Sequence, residues 1–212
     1  MVLKNTRTNP GMRFVFGFII IGLSIYVFYI GMAKKNTPAL LASPQPISPG
    51  TYQGEIIRTD TFEVSLPKHM DYRLSEKGME IYSMEQKTRG KIECLTGLPK
   101  EKQWRTSLER PTARFFLGNT GNMEPFDLMI KILRHRWNPS LMGIKSRLIP
   151  PWMKGDPEGK ILVPEGSRII IFYTKRQALG LKFGKEFLAV SSTTGQMDAP
   201  FVAAFIQSIN IL

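Results

Sequence analysis

The sequence predicts an α+β fold: an antiparallel β-sheet covered by two main helices and preceded by one transmembrane helix. Three observations carry this. An uncharged run of 20 residues occupies 14–33, short alternating apolar–polar segments recur over 53–97 and 160–191, and two amphipathic helical patterns open at Pro125 and Asp198.

Residues 14–33 read FVFGFIIIGLSIYVFYIGMA, with Arg13 before them and Lys34 and Lys35 after. At ~1.5 Å rise per residue this run extends about 30 Å, the hydrocarbon thickness of a bilayer. Lys4, Arg7 and Arg13 precede the run, so the bias of basic residues predicts a cytoplasmic N-terminus and a domain on the other side of the membrane. The chain then divides into a short basic tail (1–13), the transmembrane helix (14–33), a Pro-rich linker (34–50) and one soluble domain (51–212). In the linker, Pro38, Pro44, Pro46 and Pro49 occur without a charge over 36–50, a composition that favours extended, polyproline-like chain.

From residue 53 the pattern becomes β. GEIIR at 54–58 is followed by TFEVSL at 61–66, where Phe62, Val64 and Leu66 alternate with polar residues. Pro67 ends that run. Further strands are expected at 72–75, 79–84 and 91–96, making an antiparallel meander. Residues 98–123 show no single element, with helical turns near 100–108. Pro125 suits the first turn of a helix whose Phe126, Met129, Ile130, Leu133 and Trp137 share one face, with Lys131, Arg134 and His135 on another. Asn138-Pro139 ends it. Strands return at 160–163, 168–173, 179–183 and 186–191, and the unbroken apolar run Ile169–Phe172 suits a strand covered on both faces. Asp198 as N-cap and Pro200 in the first turn open the closing helix, with Phe201, Val202, Phe205, Ile206 and Ile209 facing inward.

TFEVSLP at 61–67, the central amphipathic helix, RIIIFYTK at 168–175, KEFLAVSSTTG at 185–195 and FVAAFIQSINIL at 201–212 together resemble the Mog1/PsbP-type α/β sandwich. The resemblance implies a non-enzymatic partner or assembly factor of a larger complex. It transfers no binding residue.

Composition narrows the chemistry. Cys94 is the sole cysteine, which forbids an intramolecular disulfide and a cysteine-based zinc site, and His69 and His135 are the sole histidines. No phosphate-binding loop, paired-histidine helix or calcium loop is present, so no catalytic, metal-binding or cofactor-binding residues are assigned. Residues 51–212 hold 24 Lys and Arg against 17 Asp and Glu, a basic surplus that draws acidic partners. The expected function is a non-catalytic, membrane-anchored domain that binds a protein partner or helps assemble a membrane complex. Its contact surface is placed at Lys100, Lys102, Trp104, Arg105, Arg110 and Arg114 with Lys131, Arg134 and His135. The alternative is binding of anionic lipid or a small ligand at the membrane surface, where each basic side chain is worth about 1 kcal/mol. Basic residues around Trp104, Phe115 and Phe116 have the composition of a nucleic-acid stacking surface, but Glu101 and Glu109 interrupt the run and argue against it.

Overall fold

Two packing layers, one on each face of a large sheet, hold most of the buried apolar side chains among the described residues. The computed structural model describes residues 10–36, 38–75, 78–83, 87–96, 101–135 and 139–212. In chain order these are helix α1 (Pro10–Asn36), a 3-10 turn (Pro38–Leu41), and strands β1 (Pro44–Ile47), β2 (Gly54–Arg58), β3 (Phe62–Pro67), β4 (Asp71–Ser75), β5 (Gly78–Ser83) and β6 (Thr88–Leu95). Helices α2 (Glu101–Leu108), α3 (Pro111–Leu117), α4 (Pro125–Arg134), α5 (Pro139–Leu148) and α6 (Pro151–Lys154) follow. The chain closes with β7 (Lys160–Pro164), β8 (Ile169–Tyr173), β9 (Gln177–Phe183), β10 (Leu188–Thr194), α7 (Ala199–Ser208) and β11 (Asn210–Ile211).

The expected single antiparallel sheet with two covering helices is corrected. Eight strands form one mixed sheet in the order β1-β7-β8-β9-β10-β6-β5-β4, and β11-β3-β2 form a second, three-stranded sheet. The large sheet is mixed because β1 runs parallel to β7, with Pro44 opposite Ile161. The meander is split because β3 pairs with β2 on one side and β11 on the other, while β4, β5 and β6 pair onward to β10.

Strand β8 shows why both faces are filled. Its Ile169 and Ile171 enter the core shared with β3, β5 and α7, whereas Ile170 and Phe172 enter the core beneath α4, α5 and α6. A strand buried on both faces needs no polar alternation. Helix α7 lies close on the first face because Gly180 of β9 faces Ile206, and a Cβ at 180 would fall 2.2 Å from the Ile206 Cδ1. Its N-terminus is capped as expected, the Asp198 Oδ1 accepting from the Phe201 N–H at 2.9 Å.

On the second face α4 carries more apolar surface than one stripe. Met129, Ile130 and Leu133 face the sheet, and Leu128 and Ile132 face a third cluster with Leu108, Ala113, Leu117, Leu141 and Ile144. Helix α4 is therefore the wall between the sheet and a small helical layer of α2, α3 and α5. It ends at Arg134, and Trp137 lies outside the described residues.

The stretch expected as a spacer is folded into the domain. Ala39 and Leu40 are buried with α4 and α6, and β1 forms one edge of the sheet. Lys145 of α5 ties the two together. Its fully buried ammonium donates to the carbonyls of Ala42 at 2.6 Å, Leu133 at 2.7 Å and His135 at 3.4 Å. The last two are carbonyls at the end of α4, where a cation meets the negative end of the helix dipole.

The transmembrane assignment is also corrected. Among the described residues no helix is long and apolar enough to cross a membrane. The expected transmembrane helix over 14–33, the single-pass architecture and the extracytoplasmic placement of the domain are therefore not retained. What α1 does show is an apolar surface left open, with Phe18, Ile21, Ile25 and Phe28 exposed.

Candidate interaction surface

The short helix α3 is positioned by two of its residues and displays the rest. Ala113 and Leu117, four apart, are buried against α4 and α5, which turns Arg114, Phe115 and Phe116 outward. Pro111 fits the first turn, and Gly118, at φ 67°, ends the helix by donating its N–H to the Arg114 carbonyl at 2.7 Å. Phe115 is 83 % exposed and Phe116 50 %, their rings edge to face with centroids 5.1 Å apart. Arg110 precedes the helix and Arg114 stands within it, both exposed, and among the described residues neither has an ion pair.

Beside this helix a cleft of about 400 Å³ is lined by Arg105, Glu109, Arg114, Asn119 and Thr120. Arg105 donates from Nη2 to the Met123 carbonyl at 3.2 Å, holding the loop that forms the far wall. Gly121 donates to the Asn119 Oδ1 at 3.2 Å and Met123 to the Thr120 carbonyl at 3.2 Å, so the loop is folded on itself. Two guanidinium groups and one carboxylate thus line the cleft, leaving it with a basic surplus of one charge.

The structure brings together Arg105 and Arg114 of the sequence-expected set around this cleft, with Arg110 one turn away. Lys100 lies outside the described residues, as do the side chains of Lys102 and Trp104 on α2. Lys131, Arg134 and His135 sit instead at the end of α4, where Lys131 and Arg134 face its carbonyl terminus. The His135 imidazole is held below its ordinary pKa, first by burial and then by the Lys131 and Lys145 ammonium groups. Phe115 and Phe116, weighed from the sequence only as part of a nucleic-acid stacking surface, stand outside the expected contact set. The spacing of Ala113 and Leu117 is the signal that turns both outward.

Two other concavities differ in their charge balance. One of about 710 Å³ lies along β5 and β6 among Glu80, Tyr82, Lys87, Arg89 and Lys91, with Lys91 paired to Glu93 at 2.7 Å. The other, about 360 Å³, lies between Arg168 and Phe187, with Arg168 paired to Glu124 and stacked 5.8 Å from the Phe126 ring centroid. Lys91 and Arg168 are thus paired, whereas among the described residues Lys87, Arg89 and Lys185 in the same clefts have no ion pair, as Arg110 and Arg114 have none.

Cys94 is half-buried against the core, and burial pushes its thiol above the ordinary value, partly offset by a hydrogen bond with Thr61. Such a thiol is protonated at neutral pH and is a poor nucleophile. Among the described residues no group of three or more His, Cys, Asp or Glu is placed to hold a metal ion. No protein-family model and no curated protein matches the chain. Neither comparison identifies a Mog1/PsbP-type domain.

Proposed function

We propose that this chain is a non-catalytic binding domain whose contact surface is the outward side of α3. The observation that carries the reading is the Phe115–Phe116 pair, exposed beside Arg110 and Arg114. Covering one phenylalanine side chain is worth about 1.5–3 kcal/mol, and aromatic residues with arginine are the residue types that anchor protein interfaces. The fitting partner is a protein surface with an apolar patch ringed by carboxylates. The carboxylates meet the two arginines and the patch covers the rings. The element-level likeness to Mog1/PsbP-type domains, mostly partners of larger complexes, supports the same reading.

The test is site-specific photo-crosslinking in the native host. A benzophenone-bearing residue at Phe115 should give one discrete protein adduct, and the same residue at exposed Lys185 should not. In the same chain Arg110→Glu with Arg114→Glu should abolish that adduct while leaving thermal unfolding unchanged. Equal labelling from both positions overturns the proposal. So does an adduct that survives charge reversal, or crosslinking to phospholipid alone, which would transfer the surface to anionic lipid.

A further inference from the structure

The two edges of the eight-stranded sheet are treated differently by the sequence. Strand β1 at one end carries Pro44 and Pro46, neither of which has an N–H to offer, and it is thereby blunted. Strand β4 at the other end has no proline, and all five of its residues are exposed. Among the described residues it pairs with β5 alone, so the backbone groups on its other side face no strand. Such an edge is a template for another strand.

Side-chain direction says which strand fits. Tyr72 lies opposite Ile81 and Leu74 opposite Met79, both core residues, so Tyr72 and Leu74 continue the core face to its rim, 42 % and 54 % exposed. Asp71 and Arg73 point to the opposite face. A pair of identical antiparallel strands in a continuous sheet is related by a two-fold axis through one residue and its symmetry mate. Centred on Arg73, the axis sets arginine against arginine. Centred on Asp71, it sets aspartate against aspartate. Centred on Leu74, it sets Arg73 against Ser75. Centred on Tyr72, it sets Asp71 against Arg73 of the partner subunit, and Arg73 against Asp71 of the partner subunit. Opposite charges across strands stabilise a pairing and like charges oppose it. The charges along this edge therefore oppose two registers, leave the Leu74-centred one without a charge pair, and favour the one centred on Tyr72.

We propose that β4 is a homodimerisation edge, on which a second copy of this chain adds its own β4 antiparallel in the register centred on Tyr72. The large sheet then runs continuously through both subunits. The inference rests on edge geometry and charge register and is independent of the α3 surface.

Disulfide trapping of the full chain tests the register. In a Cys94→Ser background, Tyr72→Cys places two thiols directly across the axis, within the ~4.4–6.8 Å Cα separation a disulfide spans. Leu74→Cys displaces them by four residues along the ladder, about 13 Å, out of reach. Both positions are exposed and share one background, so folding effects cancel. Association through another surface would give no preference for Tyr72 over Leu74. The expected result is rapid dimer formation by the Tyr72→Cys chain, several-fold slower formation by the Leu74→Cys chain, and suppression of the first by Arg73→Asp. Adding Asp71→Arg to that suppressed chain should restore trapping. Equal trapping at both positions, no trapping at either, indifference to Arg73→Asp, or failure of the double reversal to restore the yield each overturns the proposal.

Discussion

Replacing Lys145 by methionine tests how the N-terminal segment is held to the domain. Methionine retains most of the length of the side chain and deletes the ammonium. Lost with it are the short bonds to Ala42 and Leu133, at 2.6 and 2.7 Å, and the longer one to His135. Each bond from a charged donor is worth about 1.5–3 kcal/mol, and each buried carbonyl left without a donor costs about 1–3 kcal/mol. Against this, the variant no longer buries an ammonium, whose desolvation costs several kcal/mol. The difference leaves a net destabilisation of about 1–3 kcal/mol.

The loss is not expected to spread evenly. Ala42 joins the 3-10 turn to β1, so removing its donor loosens 38–47 before it loosens the sheet. Urea unfolding of the full chain reads the global term, and amide hydrogen exchange reads the local one. The expected outcome is a lowered midpoint together with much faster exchange over 39–47, while β8 and β9 keep their protection. An unchanged midpoint with 39–47 exchanging as slowly as in the parent would refute the account of Lys145 as a tether.

Two further substitutions probe the opposite layer. Gly180→Ala puts a methyl group 2.2 Å from the Ile206 Cδ1 and 2.8 Å from its Cγ1, so the Ile206 side chain must repack or α7 must shift, at a cost of about 1–3 kcal/mol. Combined with Ile206→Ala, the pair should cost less than the sum of the single changes, and strict additivity in urea unfolding would contradict the close approach. Tyr52 donates to the Ser65 carbonyl at 2.7 Å and contacts the Ser208 Oγ at 3.0 Å. Burial pushes its phenol above the ordinary 10.0, against the lowering by Ser208 and Ser65. A raised folded-state value means this stability is fully present below pH 10 and lost as pH rises through the folded value. Tyr52→Phe should therefore flatten the alkaline decline of the melting temperature between pH 9 and 11, and an identical decline in both proteins would exclude Tyr52 as its source.

What could be read in the sequence was whatever neighbouring residues decide. Alternation in 61–66 marks β3 because its side chains fall on opposite faces, and Asp198 with Pro200 opens α7 because cap and first turn lie within three residues. The parallel pairing of β1 with β7 joins segments more than a hundred residues apart, and Pro44 and Pro46 read locally as extended linker. Pro139 read as a breaker, yet it occupies the first position of a helix, where its missing N–H has no intrahelical partner to lose. The apolar stripe chosen for α4 omitted Leu128 and Ile132, because a helix packed on two sides carries an arc wider than one stripe. For the contact surface, the arginines over 105–114 were visible as charge. The outward aim of Phe115 and Phe116 needed the helix start at Pro111.

The two proposed contact surfaces belong to different ends of the architecture, and this bears on how they could operate together. Helix α3 is joined through α4 and α5 to the β7–β10 half of the sheet, the half that the helical layer covers. Strand β4 ends the other half, beyond β5 and β6, where the corresponding face carries Arg73, Glu80 and Lys91 in one cross-strand row and no helix residue packs in the cores described. A pairing at β4 therefore leaves the arginines and aromatic rings of α3 open. Each subunit of a two-fold dimer would present its own α3, so the dimer is bivalent. A partner offering two acidic–apolar patches could then be held by both, the second contact forming at the high effective concentration set by the first. Weak burial at each α3, two phenylalanine side chains and two arginines, would suffice for lasting association if the β4 pairing holds.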